Sequence, residues 1–295
     1  MLILALIAAL LTIPRFSPAI SGPSGGVVLE GVFPDAAAPA PLRRGFVYLP
    51  PGFSTSRRYP VIYLLHGLPG DPDEYVDAVR LQDVADALIS EGAARPFIAI
   101  VPAAGPDVQY NGEWAGPWES YLLRVVDWAD RTLPAIRNPA GRTLAGLSAG
   151  GYGAVDIGLR NRGLFGRIES WSGYFTPLHD GPFKRADDEL LAENDPTKLA
   201  PAEARELRRA RTRFFLSSGP THSHWAKEEQ TIAFAQELRL LALPVTLELF
   251  PSRRGEWTAQ IDAGLRWAFR PRASAAPARD RCPPAAAAAS LSARP

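Results

Sequence analysis

The stretch GLSAGG, residues 146–151, decides how this chain is expected to fold. It contains the pattern G-x-S-x-G, in which the two glycines permit a sharp turn from a strand into a helix. Such a turn lifts the serine hydroxyl above the sheet and directs the N-terminus of the following helix toward it. A short strand, RTLAG, is predicted before the turn, and a helix, GYGAVDIGLR, after it. The pattern therefore predicts a strand–turn–helix unit with Ser148 as a candidate nucleophile.

Short β-branched or apolar runs alternate with amphipathic segments on both sides of this unit. The alternation predicts an α/β fold with a mostly parallel central sheet and helices on both faces. Residues Thr176–Arg211 interrupt the alternation with a charged, helix-prone insert, which is expected to form a short cap over the site. The other predicted strands are RGFVYLP, PVIYLLHG, FIAIVPA, RIESWSG, RFFLSSG and PVTLELFP, and the other predicted helices span residues 81–91, 118–133, 228–242 and 259–269.

The two ends of the chain differ in composition from its middle. Residues 1–26 start with the apolar run MLILALIAALLTI, which predicts a signal peptide or N-terminal anchor followed by a linker. Residues 271–295 are rich in Pro and Ala and lack hydrophobic periodicity, so a disordered tail is expected. The folded domain is predicted to span residues 27–270, and the protein is expected to be secreted or associated with the cell envelope.

The charge balance and the absence of cofactor motifs restrict the partners. The chain has 295 residues and a formal net charge of +1, with 32 basic and 31 acidic side chains interspersed. This gives no basic surface for nucleic acid, and membrane contact is expected only through an uncleaved N-terminal segment. No metal or cofactor is expected, because the sequence has no CxxC, HExxH, Walker loop or dinucleotide fingerprint. The single cysteine, Cys282, leaves no intrachain disulfide to form.

A second loop, in the segment YLLHGLPGD, is expected to face the Ser148 turn. When a serine attacks an acyl group, negative charge develops on the carbonyl oxygen, and fixed backbone N–H groups stabilise that charge. Ala149, directly after the serine, supplies one expected donor, and Leu68 supplies the second. His66 in the same loop is expected to be a packed, hydrogen-bonded side chain of a tight turn. Leu68 and Ala149 are therefore the predicted oxyanion hole.

Four segments together resemble the Putative esterase family of α/β hydrolases, namely YPVIYLLHGLPGD, PWESYLLRVVDW, GRTLAGLSAGGYGA and LFGRIESWSGYF. This family includes S-formylglutathione hydrolase, enterochelin esterase and the mycolyltransferases of the antigen 85 complex. The resemblance runs from about Leu42 to Phe269. It implies an α/β-hydrolase fold, Ser148 as nucleophile, oxyanion donors at Leu68 and Ala149, and a small-molecule or lipid ester or thioester as substrate. The Ala-, Arg- and Pro-rich composition suits a high-GC bacterium.

The sequence departs from the family pattern at the usual acid and the usual base. After the strand RFFLSSG the family has an acid, whereas this chain has His222 in the sequence GPTH. After PVTLELFP the family reads roughly G-G-H-x-W, and here Gly255 stands at the histidine position, followed by Glu256 and Trp257. No histidine follows His224, so the usual base is absent rather than shifted. The four histidines of the chain are His66, His179, His222 and His224.

Three alternatives remain open, because a serine hydroxyl needs a base to accept its proton. In the first, the two roles are exchanged: His222, or else His224, reaches Ser148, and Glu256 orients the imidazole. This alternative gives an exported serine esterase or acyltransferase with a non-standard base. In the second, the chain is a catalytically inactive binding protein that keeps the fold and the pocket. In the third, His179 supplies the base from the cap insert.

Two tryptophans, Trp114 and Trp118, lie in the segment NGEWAGPWESY just before a predicted helix. The functional interpretation is an aromatic wall of the substrate-binding cleft. The alternative is ordinary packing, and the sequence leaves both open.

Overall fold

A nine-stranded sheet forms the centre of the computed structural model, within the residues that the structure describes. The strand order across the sheet is β1-β2-β3-β5-β4-β6-β7-β8-β9. In chain order the strands are β1 Phe16–Ser21, β2 Val27–Val32, β3 Arg44–Leu49, β4 Val61–Leu65, β5 Ile98–Pro102, β6 Arg142–Leu147, β7 Arg167–Trp171, β8 Arg213–Ser218 and β9 Val245–Leu249. The structure describes residues 13–34, 44–68, 70–104, 114–179, 183–219, 228–251 and 256–271.

Strands β4 to β9 pair in parallel with one another, whereas β1, β2 and β3 form an antiparallel end of the sheet. The carboxyl ends of the parallel strands therefore lie along one edge, which is where open α/β sheets bind their ligands. This pairing confirms the expected α/β architecture with a mostly parallel sheet.

Helices cover both faces of the sheet. Buried apolar side chains of α2, α3, α5 and α6 share one core with Val61, Tyr63 and Leu65 of β4. Those of α1 and α7 share the other core with Ile62 and Leu64. The fully buried strand β4 serves both cores because successive side chains of a strand point to opposite faces. The helices are α1 Leu81–Ser90, α2 Pro117–Thr132, α3 Ala149–Arg160, α4 Asp188–Glu193, α5 Pro196–Ala210, α6 Glu228–Leu240 and α7 Glu256–Phe269.

The sheet begins earlier than the predicted domain boundary at residue 27. Strand β1 pairs with β2, and the ring of Phe16 packs against Phe33 and Trp128, with centroids 5.1 and 5.4 Å apart. The turn between the two strands is fixed by the buried carboxylate of Asp86 in α1, which accepts two backbone N–H groups of the turn at 2.7 and 3.1 Å. The expected linker is therefore corrected, because residues 16–26 belong to the folded domain.

The expected cap insert is only partly a cap. Helix α5 belongs to the helical layer, since Ala200 and Ala204 are buried in the core beside α3. Helix α4, in contrast, has no buried residue. The Tyr152 hydroxyl of α3 donates to the Asn194 carbonyl oxygen between α4 and α5 at 2.6 Å. The insert is thus docked on the helix that starts at the Ser148 turn.

The two ends of the chain, residues 1–12 and 272–295, lie outside the described residues. The apolar run of the predicted signal peptide or anchor and the predicted tail with Cys282 therefore stay predictions. Within the described ranges, no helix combines the length and the apolar character needed to cross a membrane.

Candidate active site

The Ser148 turn connects β6 to α3. Ser148 has φ 50° and ψ −115°, a backbone conformation that costs a non-glycine residue about 1–3 kcal/mol. The two glycines of the motif are required by close backbone contacts. A Cβ at Gly146 would lie 2.2 Å from the Gly150 carbonyl oxygen, and a Cβ at Gly150 would lie 2.0 Å from the Leu65 carbonyl oxygen. The structure thus has the predicted strand–turn–helix unit, with a strained serine between the strand and the helix.

Backbone hydrogen bonds hold Ser148 on both sides. Its N–H donates to the Trp171 carbonyl oxygen at the end of β7 at 2.9 Å, and its carbonyl oxygen accepts the Tyr152 N–H at 3.0 Å. Ala149 is the first residue of α3, so its N–H is among those that have no acceptor within the helix. The half-buried Ser148 side chain therefore lies beside the positive end of α3.

The loop after β4 approaches the Ser148 turn closely. A Cβ at Gly67 would lie 3.3 Å from both the Leu147 carbonyl oxygen and Ser148 Cβ. Leu68, the next residue, is half-buried and packs against an apolar cluster that includes Ala149. The structure brings Ser148, Leu68 and Ala149 together, while their chemical roles stay predictions.

Two aromatic side chains fix the carbonyl groups at the start of this loop. The buried Tyr75 hydroxyl donates to the Leu65 carbonyl oxygen at 2.9 Å. The indole Nε1 of Trp114 donates to the His66 carbonyl oxygen at 3.1 Å. Each donor comes from a different segment, so the path of the loop out of β4 is held from two directions.

The His66 imidazole sets the orientation of the peptide between Gly67 and Leu68. Its Nε2 accepts the Ala104 N–H at 3.0 Å, so Nδ1 carries the proton and donates to the Gly67 carbonyl oxygen at 2.9 Å. Because C=O and N–H of a trans peptide point in opposite directions, this bond also fixes the direction of the Leu68 N–H. Burial lowers the pKa of His66, which keeps the ring neutral. With both ring nitrogens bonded, His66 is the packed side chain that the sequence favoured.

The acidic residues after the loop have structural partners. Asp73 pairs with Arg44 at 2.7 Å, and the hydrogen bond from Arg44 lowers the pKa of the Asp73 carboxyl group. Glu74 lies against the loop, since a Cβ at Gly70 would come within 2.3 Å of its Oε1. Burial raises the pKa of Glu74, and a hydrogen bond from the Gly67 backbone opposes that increase. Glu74 therefore braces the loop, and Asp73 ties the segment that follows it to β3.

Both tryptophans singled out in the sequence are buried. The Trp114 ring lies edge-on to His66, with centroids 5.2 Å apart, and a Cβ at Gly153 of α3 would come within 2.5 Å of Trp114 Cβ. Trp118 packs edge-on against Tyr121 at 6.2 Å. The structure gives each of them a packing role, and their contact with a substrate stays a prediction.

An apolar cluster lies beside the Ser148 turn. Its partly buried leucines come from the loop after β4 and from the insert, so this side of the turn is apolar. Tyr152 of α3 stacks on Tyr174, with ring centroids 5.0 Å apart. The buried members are Ala115, Ala149, Tyr152, Tyr174 and Phe183, and the partly buried ones are Leu68, Leu178, Ala186 and Leu191.

The predicted base and its partner lie where the structure describes no side chains. His222 and His224 fall within residues 220–227, outside the described residues. Glu256 is the first residue of α7, and only its backbone is described. His179 is exposed in the insert, next to Leu178. All three alternatives, the inactive binding protein included, therefore stay predictions.

A comparison with models of protein families shows which family the chain belongs to. A family model described as "Putative esterase" matches residues 41–268. The chain belongs to this family. The match covers the sheet from β3 onward, together with the Ser148 turn and the loop after β4.

Curated relatives align with less than half of this family member. An esterase of Mycobacterium tuberculosis strain H37Rv is 31% identical over 135 residues, which are 43% of this chain and 28% of the relative. An endo-1,4-beta-xylanase/feruloyl esterase of Xylanibacter ruminicola is 31% identical over 131 residues, which are 41% of this chain and 18% of the relative. The chain thus spans less than a third of the length of these relatives.

Solved structures resemble this family member over most of its length. A ferulic acid esterase superposes with a TM-score of 0.70 at 21% identity, covering 83% of this chain and 98% of that one. An S-formylglutathione hydrolase from Agrobacterium tumefaciens superposes with a TM-score of 0.67 at 17% identity, covering 86% of this chain and 98% of that one. These similarities show the α/β-hydrolase fold that the resemblance implied.

Proposed function

We propose that this family member is an exported bacterial serine esterase or acyltransferase that acts on a carboxylic ester through an acyl-enzyme at Ser148, with a non-standard base. The observation that carries the proposal is the joint geometry of Ser148 and the loop after β4. A strained serine at the N-terminus of α3 faces a loop whose peptide groups are fixed by side chains. Strain of this kind persists where the surroundings over-determine it, and it clusters at active sites.

The reaction follows from this geometry. Ser148 Oγ attacks the ester carbonyl carbon, its proton passes to the base, and the N–H groups of Leu68 and Ala149 stabilise the negative oxygen. The bond to the alcohol then breaks, the base returns the proton to the leaving oxygen, and the acyl group stays on Ser148. Water, deprotonated by the same base, releases the acid. In acyl transfer a second alcohol takes the place of water.

The base in this proposal is His222, and Glu256 orients its imidazole. The loop with His222 follows β8, and the loop before Glu256 follows β9. Both loops therefore leave the carboxyl edge of the sheet, where the Ser148 turn also lies. Triads are defined by geometry rather than by chain order, so the exchange is chemically admissible. His66 is unsuitable because both of its ring nitrogens are already bonded.

The substrate in this proposal is a small-molecule or lipid ester. The partly buried Leu68 and Leu178 beside the Ser148 turn suit an ester with an apolar group. The names of similar proteins, ferulic acid esterase and S-formylglutathione hydrolase, describe ester and thioester chemistry in those proteins.

A catalytically inactive binding protein on the same scaffold is the second candidate. The observation that favours it is Gly255, which stands at the family's histidine position. In this alternative the pocket binds an ester or another ligand without turnover.

Fluorophosphonate labelling and p-nitrophenyl ester hydrolysis test the nucleophile. We expect labelling and turnover in the wild type and none in Ser148→Ala, since the acyl-enzyme needs the Ser148 hydroxyl. Ser120→Ala is the matched control, because Ser120 is exposed on α2. A wild-type protein with neither Ser148-dependent labelling nor turnover would contradict the enzyme and favour the binding protein.

Single histidine variants test the base. His222→Ala is expected to lower kcat by about 10³-fold or more, while His224→Ala and His179→Ala retain activity. Gly255→His separates the alternatives further. A large gain would show that the chain has lost its base, and an unchanged, substantial activity supports the exchanged arrangement.

A further inference from the structure

A buried amide joins α7 to the strand ends beside the Ser148 turn. Gln260 of α7 is fully buried. Its Nε2 donates to Ser172 Oγ at 2.9 Å, and its Oε1 accepts the Ser217 hydroxyl at 2.7 Å. Ser172 follows β7 directly and Ser217 lies in β8, so one side chain of α7 connects the carboxyl ends of two neighbouring strands.

The peptide between Trp171 and Ser172 links this amide to Ser148. Its carbonyl oxygen accepts the Ser148 N–H at 2.9 Å, and its N–H donates to the Ser217 carbonyl oxygen at 2.8 Å. One peptide group therefore extends from the Ser148 turn to β8. Any rotation of that peptide moves the acceptor to which the backbone of Ser148 is bonded.

Ser172 itself has a strained backbone, with φ 49°. A non-glycine residue keeps such a conformation only when its surroundings over-determine it. Here the Ser172 N–H bonds to β8 and the Ser172 hydroxyl bonds to Gln260. Loss of the side-chain contact would let Ser172 relax and rotate the peptide that holds Ser148.

We propose that Gln260 is a positioning residue for the nucleophile, because it pins Ser172 and, through the Trp171–Ser172 peptide, the backbone of Ser148. The inference rests on the proposed function of Ser148. Gln260 also lies one helical turn after residue 256, so the same amide fixes the start of α7 relative to the Ser148 turn. An error of about 1 Å in the placement of a reacting group can cost about 10²-fold in rate.

The variant Gln260→Met tests this role, since it keeps the length of the side chain and removes its hydrogen bonds to Ser172 and Ser217. We expect the rate of fluorophosphonate labelling and the kcat for a p-nitrophenyl ester to fall by about 10- to 100-fold, with KM within about twofold. The matched control is Tyr48→Phe, which removes a buried hydrogen bond of 2.7 Å between β3 and Asp86 in α1. The control is expected to lose stability and keep the wild-type rates.

Ser172→Ala provides a second arm that leaves α7 unchanged. It is expected to lower the labelling rate as Gln260→Met does, and the double variant to lose little more than either single one. If Gln260→Met fails to fold, Ser172→Ala alone tests whether the contact between Gln260 and Ser172 positions Ser148. Labelling rates are measured well below the unfolding temperature of each variant. A wild-type labelling rate in either folded variant would overturn the inference. So would a double variant whose loss of rate is the full sum of the losses, in free energy, of the two single variants. A wild type without Ser148-dependent labelling would instead show that the proposed function fails.

Discussion

Ser148 and Ser172 are non-glycine residues with positive φ, at 50° and 49°, and both belong to one hydrogen-bonded unit. The Trp171 carbonyl oxygen accepts the Ser148 N–H, and the Ser172 N–H of the same peptide donates to β8. The fold therefore holds two unfavourable backbone conformations side by side. Such an arrangement trades stability for a hydroxyl group that is fixed in place.

Because the backbone of Ser148 is strained, a substitution that relieves this strain is expected to raise the free energy of unfolding. Ser148→Gly is expected to unfold with a free energy about 1 kcal/mol higher than Ser148→Ala, because glycine adopts positive φ without strain and alanine does not. Urea unfolding of both variants measures the difference. Both variants lack the Ser148 hydroxyl, so the comparison does not depend on catalytic activity. Equal stabilities, or a less stable glycine variant, would show that the turn holds no strain.

Local sequence was sufficient to predict the residues around the nucleophile, because the turn and the loop after β4 are short-range structures. Ser148, Ala149 and Leu68 lie together as their motifs required. His66, which fixes the Leu68 peptide, lies in the same loop, but other residues that hold the site come from distant positions, and their contacts have no local signal. Trp114 is 48 residues from His66, and Gln260 is 88 residues from Ser172.

At the scale of elements, the predicted strands from β3 to β9 and most helices appear in the structure because their apolar runs are long or regular. Strands β1 and β2 were not predicted, and β1 gives a weak signal because FSPAIS has exposed residues at its second to fourth positions and a proline within it. A proline is tolerated in an edge strand, where an N–H is not needed by a further neighbour. Pairing with β2, rather than local propensity, makes this segment a strand.

Truncation tests the N-terminal hairpin. Relative to deletion of residues 1–12, deletion of residues 1–26 is expected to lower the free energy of unfolding by about 3 kcal/mol or more. The longer deletion removes the burial of Phe16, worth about 2 kcal/mol, and two hydrogen bonds to Asp86, worth about 1 kcal/mol each. Urea unfolding of the two truncated proteins checks this. Equal free energies of unfolding in the two truncated proteins would mean that residues 16–26 are a linker that does not stabilise the domain.

At the scale of the whole molecule, buried carboxyl groups couple folding to pH. Asp156 of α3 is 1% exposed, and burial raises its pKa to about 8, although Arg160 Nη1 lies 3.6 Å away and favours the charged form. Glu119 and Asp195 raise this pKa further. The charge of Asp156 is therefore disfavoured by its burial and by two neighbouring carboxylates.

Glu169 of β7 lies on the opposite face of the sheet and is completely buried. Burial raises its pKa to about 8, against the effects of Trp171 and Arg167. One carboxyl oxygen accepts Trp171 Nε1 at 3.2 Å, and the other has no hydrogen-bond partner among the described residues. Both cores thus contain a carboxyl group that is neutral when folded at moderately acidic pH.

These two groups predict that the protein loses stability as the pH rises. In the unfolded chain both carboxyls ionise near pH 4, about their ordinary value, whereas in the folded chain both keep their protons up to pH about 8. Their contribution is therefore fully present below about pH 4 and is lost between about pH 4 and pH 8, at up to about 1.4 kcal/mol per pH unit for each group. Glu169→Gln, which keeps a neutral side chain of the same shape, should flatten this dependence, and the exposed Glu248→Gln should not. Urea unfolding at several pH values between about 5 and 8 measures the slopes. A Glu169→Gln slope equal to that of the wild type would mean that Glu169 is already ionised in the folded protein.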